Sequence, residues 1–405
     1  MKRAYRIVMV AACPYPTTQG TQVYIRGLCR ALVASGHEVH LVTYHFGEDH
    51  LAPCGATIHR TAALRGYSKL RSGPGWGKPL LDLLLLQKLR KVIRAVQPDL
   101  IHAHNYEAQL VACLARRGAA VPVVYSAHNL MSDELESYFE GPISRRFARA
   151  VAGFLDRELP RRADRCVTLC EAAVPALAAL GMEPSRIHPI LPGLHADEFP
   201  AAPRKPSGGV SGLRVVYAGN PDSYQDLQLL FSAMASVCRH LPSARLRLVS
   251  SAGLGPTVEL AQRCGLDSRF IEPFVEQRWT NVASLVGACD VAALPRRLCR
   301  GFPIKLMNYR ALGLPVVACA GAAEGVRHGE DGLVVPFDVD AYADALVSLL
   351  RDPELAVRMG QTARSETLRE HRWERRVLDF ERVYSVTLEA HSSLRRGTES
   401  GRCSR

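Results

Sequence analysis

The sequence lacks the marks of several protein classes. Its twelve cysteines scatter from Cys13 to Cys403 without a Cys-x-x-Cys pair, and the closest two, Cys166 and Cys170, stand four apart. Structural zinc needs clustered ligands and a disulfide scaffold needs a higher cysteine density, so neither is expected. Thiols scattered in this way read as reduced, in a reducing cytosol. Long apolar runs are also missing. The strongest, from Pro79 to Leu89, is interrupted by Asp82 and falls short of the ~20 residues of a spanning helix. The basic-then-apolar start has the pattern of a signal peptide. An amphipathic stretch follows at once, however, so a buried first strand is expected and the chain reads as soluble or peripheral. No Gly-x-Gly-x-x-Gly occurs, which weakens a nicotinamide-dehydrogenase reading, and no Gly-x4-Gly-Lys-Ser/Thr occurs, which removes a P-loop.

What is present is ordinary globular composition. The 405 residues, 47% apolar and 22% charged, suit two or three domains and exclude wholesale disorder. The net charge of +12 points to anionic partners: phosphates, nucleic acid or a membrane surface. No recognition helix or aromatic platform accompanies it, so nucleic acid is not an expected partner.

The order of elements repeats. An apolar run, Ile7–Cys13, ends in a turn segment and is followed by a helical pattern with Val23, Leu28, Leu32 and Val33 on one side. Gly36 fits the stop of that helix, and residues 38–44 form the next strand. Strand, loop, helix, strand is the signature of a parallel sheet. Further strands are expected in segments 98–104, 121–129, 164–170 and 186–193. Residues 200–212 are rich in Pro, Gly and Ser, a linker composition. The alternation then restarts, with strands around 213–219, 244–251, 269–275, 290–295 and 314–320. The expected fold is α/β, two doubly wound parallel-sheet, Rossmann-like domains facing a central cleft. The N-terminal domain would run over 1–200 and the C-terminal one over 213–371, with closing helices at 372–390 and a disordered tail at 391–405.

Ligands of open parallel sheets bind beyond the carboxyl ends of the strands. The strongest signal there is segment 295–318. A helix is expected over about 303–312, with Pro303 in its first turn and Gly313 at its stop. Arg296, Arg297, Arg300 and Lys305 crowd its N-terminus, where cations oppose the helix dipole. A bound anion would reverse that penalty, which suggests a phosphate site; a solvated basic loop is the plain alternative. Segment 14–22 is a second candidate. Gly20 permits close backbone approach, and Thr18 or Thr21 suits a helix cap. Strand-end histidines are a third: His102 and His104, on one strand face, and His128. They suit donation to a substrate hydroxyl, or a structural role; as a zinc pair they lack a completing carboxylate or cysteine.

Eight segments in order carry a likeness to a known family. They are residues 14–44, 97–105, 123–129, 162–169, 190–199, 215–220, 301–318 and 324–350. In this order they resemble the retaining nucleotide-sugar glycosyltransferases of family 4, of the GT-B fold, over about Arg6 to Glu389. The resemblance implies that Gly20 and Thr21 turn their amides to the donor diphosphate, with Gly219 and Asn220 beside them. It implies that His128 contacts the donor sugar, and that Phe274 and Val275 line the base. The stretch Arg300, Gly301, Phe302, Pro303, Ile304 faces the donor sugar, and Asn308 meets the ribose. Two departures stand out. Arg300 and Asn308 replace two glutamates eight positions apart, and Asn308 keeps only an uncharged acceptor. A phosphate-binding Lys–Gly pair is replaced by residues 221–230, so Lys305 is expected to supply the missing cation.

The function implied is transfer of a sugar from a nucleotide-sugar donor to an acceptor hydroxyl, with His128, Arg300 and Lys305 as the catalytic set. The expected setting is cell-envelope, polysaccharide or glycolipid synthesis. Alternatives are a nucleotide-sugar epimerase or isomerase on the same architecture, or an inactive binding module. No cofactor or metal is required by this reading. The acceptor is left open. Basic, leucine-rich segment 80–96 and basic, apolar segment 145–165 raise a lipid-linked acceptor and peripheral contact with an anionic membrane; core-packed helices with solvated basic faces are the plainer alternative.

Overall fold

A computed structural model of the chain describes residues 3–48, 54–64, 66–67, 77–117, 119–200 and 213–400. The linker expected at 200–212 lies, beyond Pro200, outside the described residues. The chain divides into two compact units. One comprises the described parts of Met1–Thr17, Thr21–Gly193 and Trp373–Arg405; the other comprises Thr18–Gly20 and Leu194–Arg372.

The first unit carries strands β1 (Arg6–Ala11), β2 (Glu38–Thr43), β3 (Thr57–Arg60), β4 (Leu100–His104), β5 (Val123–Ala127), β6 (Arg165–Thr168) and β7 (Ile187–Pro189). Between them run α1 (Gly20–Ala34), α2 (Lys78–Val96), α3 (Tyr106–Ala115), α4 (Met131–Glu134), α5 (Pro142–Arg161) and α6 (Ala173–Ala179). The sheet is parallel throughout, in the order β3-β2-β1-β4-β5-β6-β7. Such a sheet is covered on both faces, so its central strands are buried on both sides and rich in apolar residues. Accordingly β4 and β5 are buried at every position. The buried strand expected at the N-terminus is β1, of which only Arg6 is exposed.

The second unit repeats the plan with β8 (Arg214–Ala218), β9 (Arg245–Ser250), β10 (Ile271–Val275), β11 (Val291–Leu294), β12 (Val316–Cys319) and β13 (Gly332–Val335). Its helices are α7 (Leu227–His240), α8 (Gly255–Arg263), α9 (Trp279–Gly287), α10 (Ile304–Ala311), α11 (Val339–Arg351) and α12 (Pro353–Glu370). The order β10-β9-β8-β11-β12-β13 is again parallel. Both sheets reverse direction of growth beside their first strand, between β1 and β4 and between β8 and β11. In doubly wound sheets that reversal opens a crevice beyond the strand ends.

Helix α13 (Trp373–Ser400) belongs to the first unit. Trp373, Val377, Phe380 and Tyr384 anchor it there, each at most 2% exposed. Trp373 lies so close to Gly27 and Gly193 that a Cβ on Gly27 would stand 2.7 Å from its Cε2, and one on Gly193 would stand 2.5 Å from its Cδ2. This corrects the one-sided burial expected for α1. Leu28 and Leu32 are buried, but so are Tyr24, Ile25, Gly27 and Cys29, while Val23 and Val33 are only partly covered.

The tail also differs from expectation. Residues 391–400, expected to be disordered, continue α13, and 401–405 lie outside the described residues. Once a packed helix is nucleated, each added residue gains a backbone hydrogen bond at small cost, so a polar segment can extend it. Two strands were not legible in the sequence. β3 and β13 are four-residue edge strands, and no position of β3 is fully buried.

Candidate active site

In the second unit, the crevice between β8 and β11 is bordered by Gly219 and Asn220 after one strand and by Pro295–Pro303 after the other. Helix α10 begins at Ile304, with Pro303 in extended conformation just before it rather than inside the first turn. The Pro303 carbonyl accepts the Leu306 N–H at 2.8 Å. Gly313, at φ +79°, closes the helix: its N–H donates to Arg310 O, and the Leu314 N–H donates to Tyr309 O. That is the expected glycine stop.

Lys305 projects from the first turn of α10 back over β8. Its Nζ donates to Tyr217 Oη at 2.6 Å and to Gln225 Oε1 at 2.9 Å, and it stands 4.0 Å from the Tyr217 ring centroid. Tyr217 Oη in turn donates to Asn220 O at 2.7 Å. Gly219 has φ +141°, and a Cβ there would meet Lys305 Nζ at 2.9 Å, so a glycine is required. Lys305, Gly219 and Asn220 are thus brought together. Gln225 belongs to the segment that replaces the Lys–Gly pair, so Lys305 reaches the place of that pair from the other loop.

Burial, helped by the nearby Arg296 cation, pulls the Lys305 ammonium down to about 7. The residue keeps some exposure, but its charged end is enclosed by Tyr217 and Gln225. The other cations are held differently. Arg296 is buried, its guanidinium 4.8 Å from the Tyr224 ring and its Nε donating to Leu298 O. Arg297 lies over the Phe337 ring at 4.0 Å, while its N–H donates to Asp226 Oδ2 at 2.8 Å. Arg300 is partly buried, Gly301, Phe302 and Pro303 are buried, and Ile304 and Asn308 are partly exposed. Phe274, next to last in β10, lies under the Arg247 guanidinium at 5.1 Å, and Val275, which ends the strand, is exposed.

Gly20 and Thr21 open α1, and in the first unit the histidines gather at the ends of β4 and β5. His102 and His104 are fully buried, with ring centroids 4.3 Å apart, and His128 is nearly so. His104 Nδ1 and His128 Nε2 share a hydrogen bond of 3.1 Å, and His102 bonds to Tyr384 Oη and Ser126 Oγ, each at 2.8 Å. His128 also meets the Tyr24 ring edge-on at 4.9 Å. Burial holds His102 and His128 down to about 3, and His104 well below its usual value, so the cluster is neutral. Asn105, directly after β4, adopts φ +71°, which few residues other than glycine accept. Sequence reasoning missed Asn105, Tyr217 and Gln225; only the position of each after or within a strand next to the reversal pointed to them.

Among the described residues, no three His, Cys, Asp or Glu side chains group in a way that could hold a metal ion. The Asp-x-Asp sequence at Asp338–Asp340 is a helix cap: Asp338 Oδ1 accepts the N–H groups of Asp340 and Ala341 at 3.0 and 2.9 Å.

A sequence profile described as a glycosyl transferase 4-like domain matches residues 19–193, and one described as glycosyl transferases group 1 matches residues 212–352. The chain belongs to glycosyltransferase family 4. This family-4 chain is similar to the D-inositol 3-phosphate glycosyltransferase of Kribbella flavida, with 27% identity over 88% of this chain and 90% of that one. It is likewise 27% identical to the enzyme of that name in Mycobacterium avium, over 74% of this chain and 72% of the relative. Among solved structures, sucrose-phosphate synthase from Thermosynechococcus elongatus matches with a TM-score of 0.80 at 20% identity, over 95% of this chain and 100% of that one. Anabaena HepE, solved with UDP and glucose, matches with a TM-score of 0.70 at 19% identity, over 96% and 100%. These likenesses show the GT-B fold. The glycosyltransferase class and the fold therefore stand as the sequence implied.

Proposed function

We propose that this glycosyltransferase moves a hexosyl group from a nucleotide-sugar donor to an acceptor hydroxyl with retention of anomeric configuration. The observation that carries the donor side is Lys305, set under Tyr217 and Gln225 beside Gly219 and Asn220 at the carboxyl end of β8. A diphosphate there gains a cation and the free amides of α10. During transfer the bond from the anomeric carbon to the diphosphate breaks as the bond to the acceptor oxygen forms. Charge grows on the leaving phosphate, and Lys305, Arg300 and the helix amides stabilise it by preorganised electrostatics. The acceptor's proton passes to the donor phosphate. His128, neutral at physiological pH, orients the sugar by hydrogen bonding. No metal enters this scheme.

The support for a nucleotide donor is that Anabaena HepE was solved with UDP and with UDP-glucose. The support for an envelope role is that WaaG, of the same fold, takes part in lipopolysaccharide biosynthesis. Among the described residues no helix is long and apolar enough to cross a membrane. We place the chain in the cytoplasm, at the inner face of the membrane, acting on a lipid-linked acceptor. A second reading, a binding module without turnover, is favoured by Arg300 and Asn308 in place of carboxylates.

The test is thermal stabilisation of the purified protein by a panel of nucleoside diphosphates and nucleotide sugars. Selective binding raises stability by about 2.7 kcal/mol at a hundred times the dissociation constant. A shift with one diphosphate names the base, and NMR of the product anomer then reads the stereochemistry. No shift with any of them defeats the donor-site reading, and a shift without turnover leaves the binding module.

A further inference from the structure

The two basic, apolar segments of the first unit have different fates. In α2 four leucines are core: Leu81, Leu85, Leu86 and Leu89 are buried, while Leu80 and Leu83 are exposed and Arg90, Lys91 and Arg94 face outward. Helix α5 carries two opposed apolar faces. Ala148, Ala152 and Leu159 are buried on one, which packs toward α3 and α4. Ile143, Phe147 and Phe154 lie on the other, 85%, 69% and 53% exposed. Ile143 and Phe147 are the two most exposed large apolar side chains of the described surface. At ~100° per residue, Ile143, Phe147, Ala150 and Phe154 fall within about 60° of arc, opposite the buried face.

The helix that bears that stripe is strongly basic. Arg145, Arg146, Arg149, Arg157 and Arg161 are exposed on the same helix. Its two acids are engaged: Asp156 is buried and accepts the N–H groups of Met131 and Ser132, and Glu158 pairs with Arg157 and Arg162. Arg149 pairs with Glu136, and Arg146 is exposed to solvent. Arg146 and Arg157 flank one side of the stripe. Their stems can lie along it while the guanidinium groups reach outward.

We propose that the exposed face of α5 docks on an anionic lipid bilayer, with Ile143, Phe147 and Phe154 entering the interface and the arginines meeting lipid phosphates. An apolar stripe with arginine flanks, on a helix whose own two acids are engaged, matches an interfacial helix. A stable second copy needs about 800 Å² per partner, with a core depleted of charge. One helix face with three large apolar side chains does not supply that. This inference deepens the peripheral-membrane reading and rests on it. Its test needs no donor, acceptor or turnover, so its failure leaves the glycosyl-transfer reading untouched.

The experiment is cosedimentation of the full chain with vesicles of phosphatidylcholine alone and of phosphatidylcholine mixed with phosphatidylglycerol. The parent protein is expected on the mixed vesicles, with binding weakened by salt, and little is expected on the neutral ones. The double variant Phe147→Ser, Phe154→Ser should bind the mixed vesicles at least about tenfold more weakly, with an unchanged melting temperature. Arg146→Gln with Arg157→Gln should lose much of the preference for the anionic vesicles. Equal binding by the serine variant, or no binding by the parent, overturns the proposal. So does a concentration-dependent dimer that the serine variant abolishes without any vesicle binding, because that gives the face to a second copy.

Discussion

Lys305 Nζ stands 2.6 Å from Tyr217 Oη and 4.0 Å above the ring of the same tyrosine. The contact holds the amine where water solvates it poorly, and its proton is lost at about pH 7. An incoming diphosphate stabilises the charged form and raises that value again. Donor affinity is therefore full below pH 7, where Lys305 is already charged. It falls as pH rises through 7, by up to about tenfold per pH unit until the bound-state value is reached. Calorimetric titration with a nucleoside diphosphate across that range reads the effect. Lys305→Arg, whose charge persists, should flatten the profile; an unchanged slope in that variant would remove Lys305 as its source.

Lys305→Ala removes the cation altogether. The charge-assisted contact is worth at least ~2 kcal/mol, so nucleotide affinity and turnover should fall together by roughly 30-fold. Normal transfer by this variant would sink the site assignment.

Asn308→Glu restores a carboxylate to the middle of α10. A charged acceptor binds ribose hydroxyls more strongly than an amide, by on the order of 1 kcal/mol. Nucleotide affinity should rise by about fivefold, and the gain should vanish with a 2′,3′-dideoxynucleotide. A gain that survives loss of those hydroxyls would place Asn308 elsewhere.

Gly27→Ala tests how α13 is held. Its methyl group would press on the Trp373 indole, whose Cε2 would be 2.7 Å away. Overpacking of this kind costs about 1–3 kcal/mol, read as a lowered denaturant midpoint with little change in slope. A stability equal to the parent's would mean that Trp373 has room to move.

The histidine cluster makes a prediction about acid. His102 and His128 titrate at about 3 in the folded chain, against about 6.5 when unfolded. The unfolded state therefore binds more protons below pH 6.5. Stability is fully present above that value and is lost as pH falls toward 3. At about pH 5 the loss is roughly 2 kcal/mol for each of these histidines. Melting curves between neutral and mildly acidic pH check it, and a flat stability profile over that window would show the imidazoles to be solvated.

What the sequence determined by itself was whatever depends on local pattern. Buried parallel strands such as β4 and β5 are short, mostly apolar runs, glycine stops such as Gly36 and Gly313 take a backbone conformation that side chains disfavour, and the order of segments identified the family. Short edge strands such as β3 bury too little to leave an apolar signature. Tertiary structure alone decided contacts between distant residues: Lys305 with Gln225, His104 with His128, Trp373 with Gly27. It also decided that Leu81, Leu85, Leu86 and Leu89 of α2 are core while Phe147 and Phe154 of α5 are not. Helical periodicity shows that a face is apolar; what covers that face depends on parts of the chain brought near only by folding.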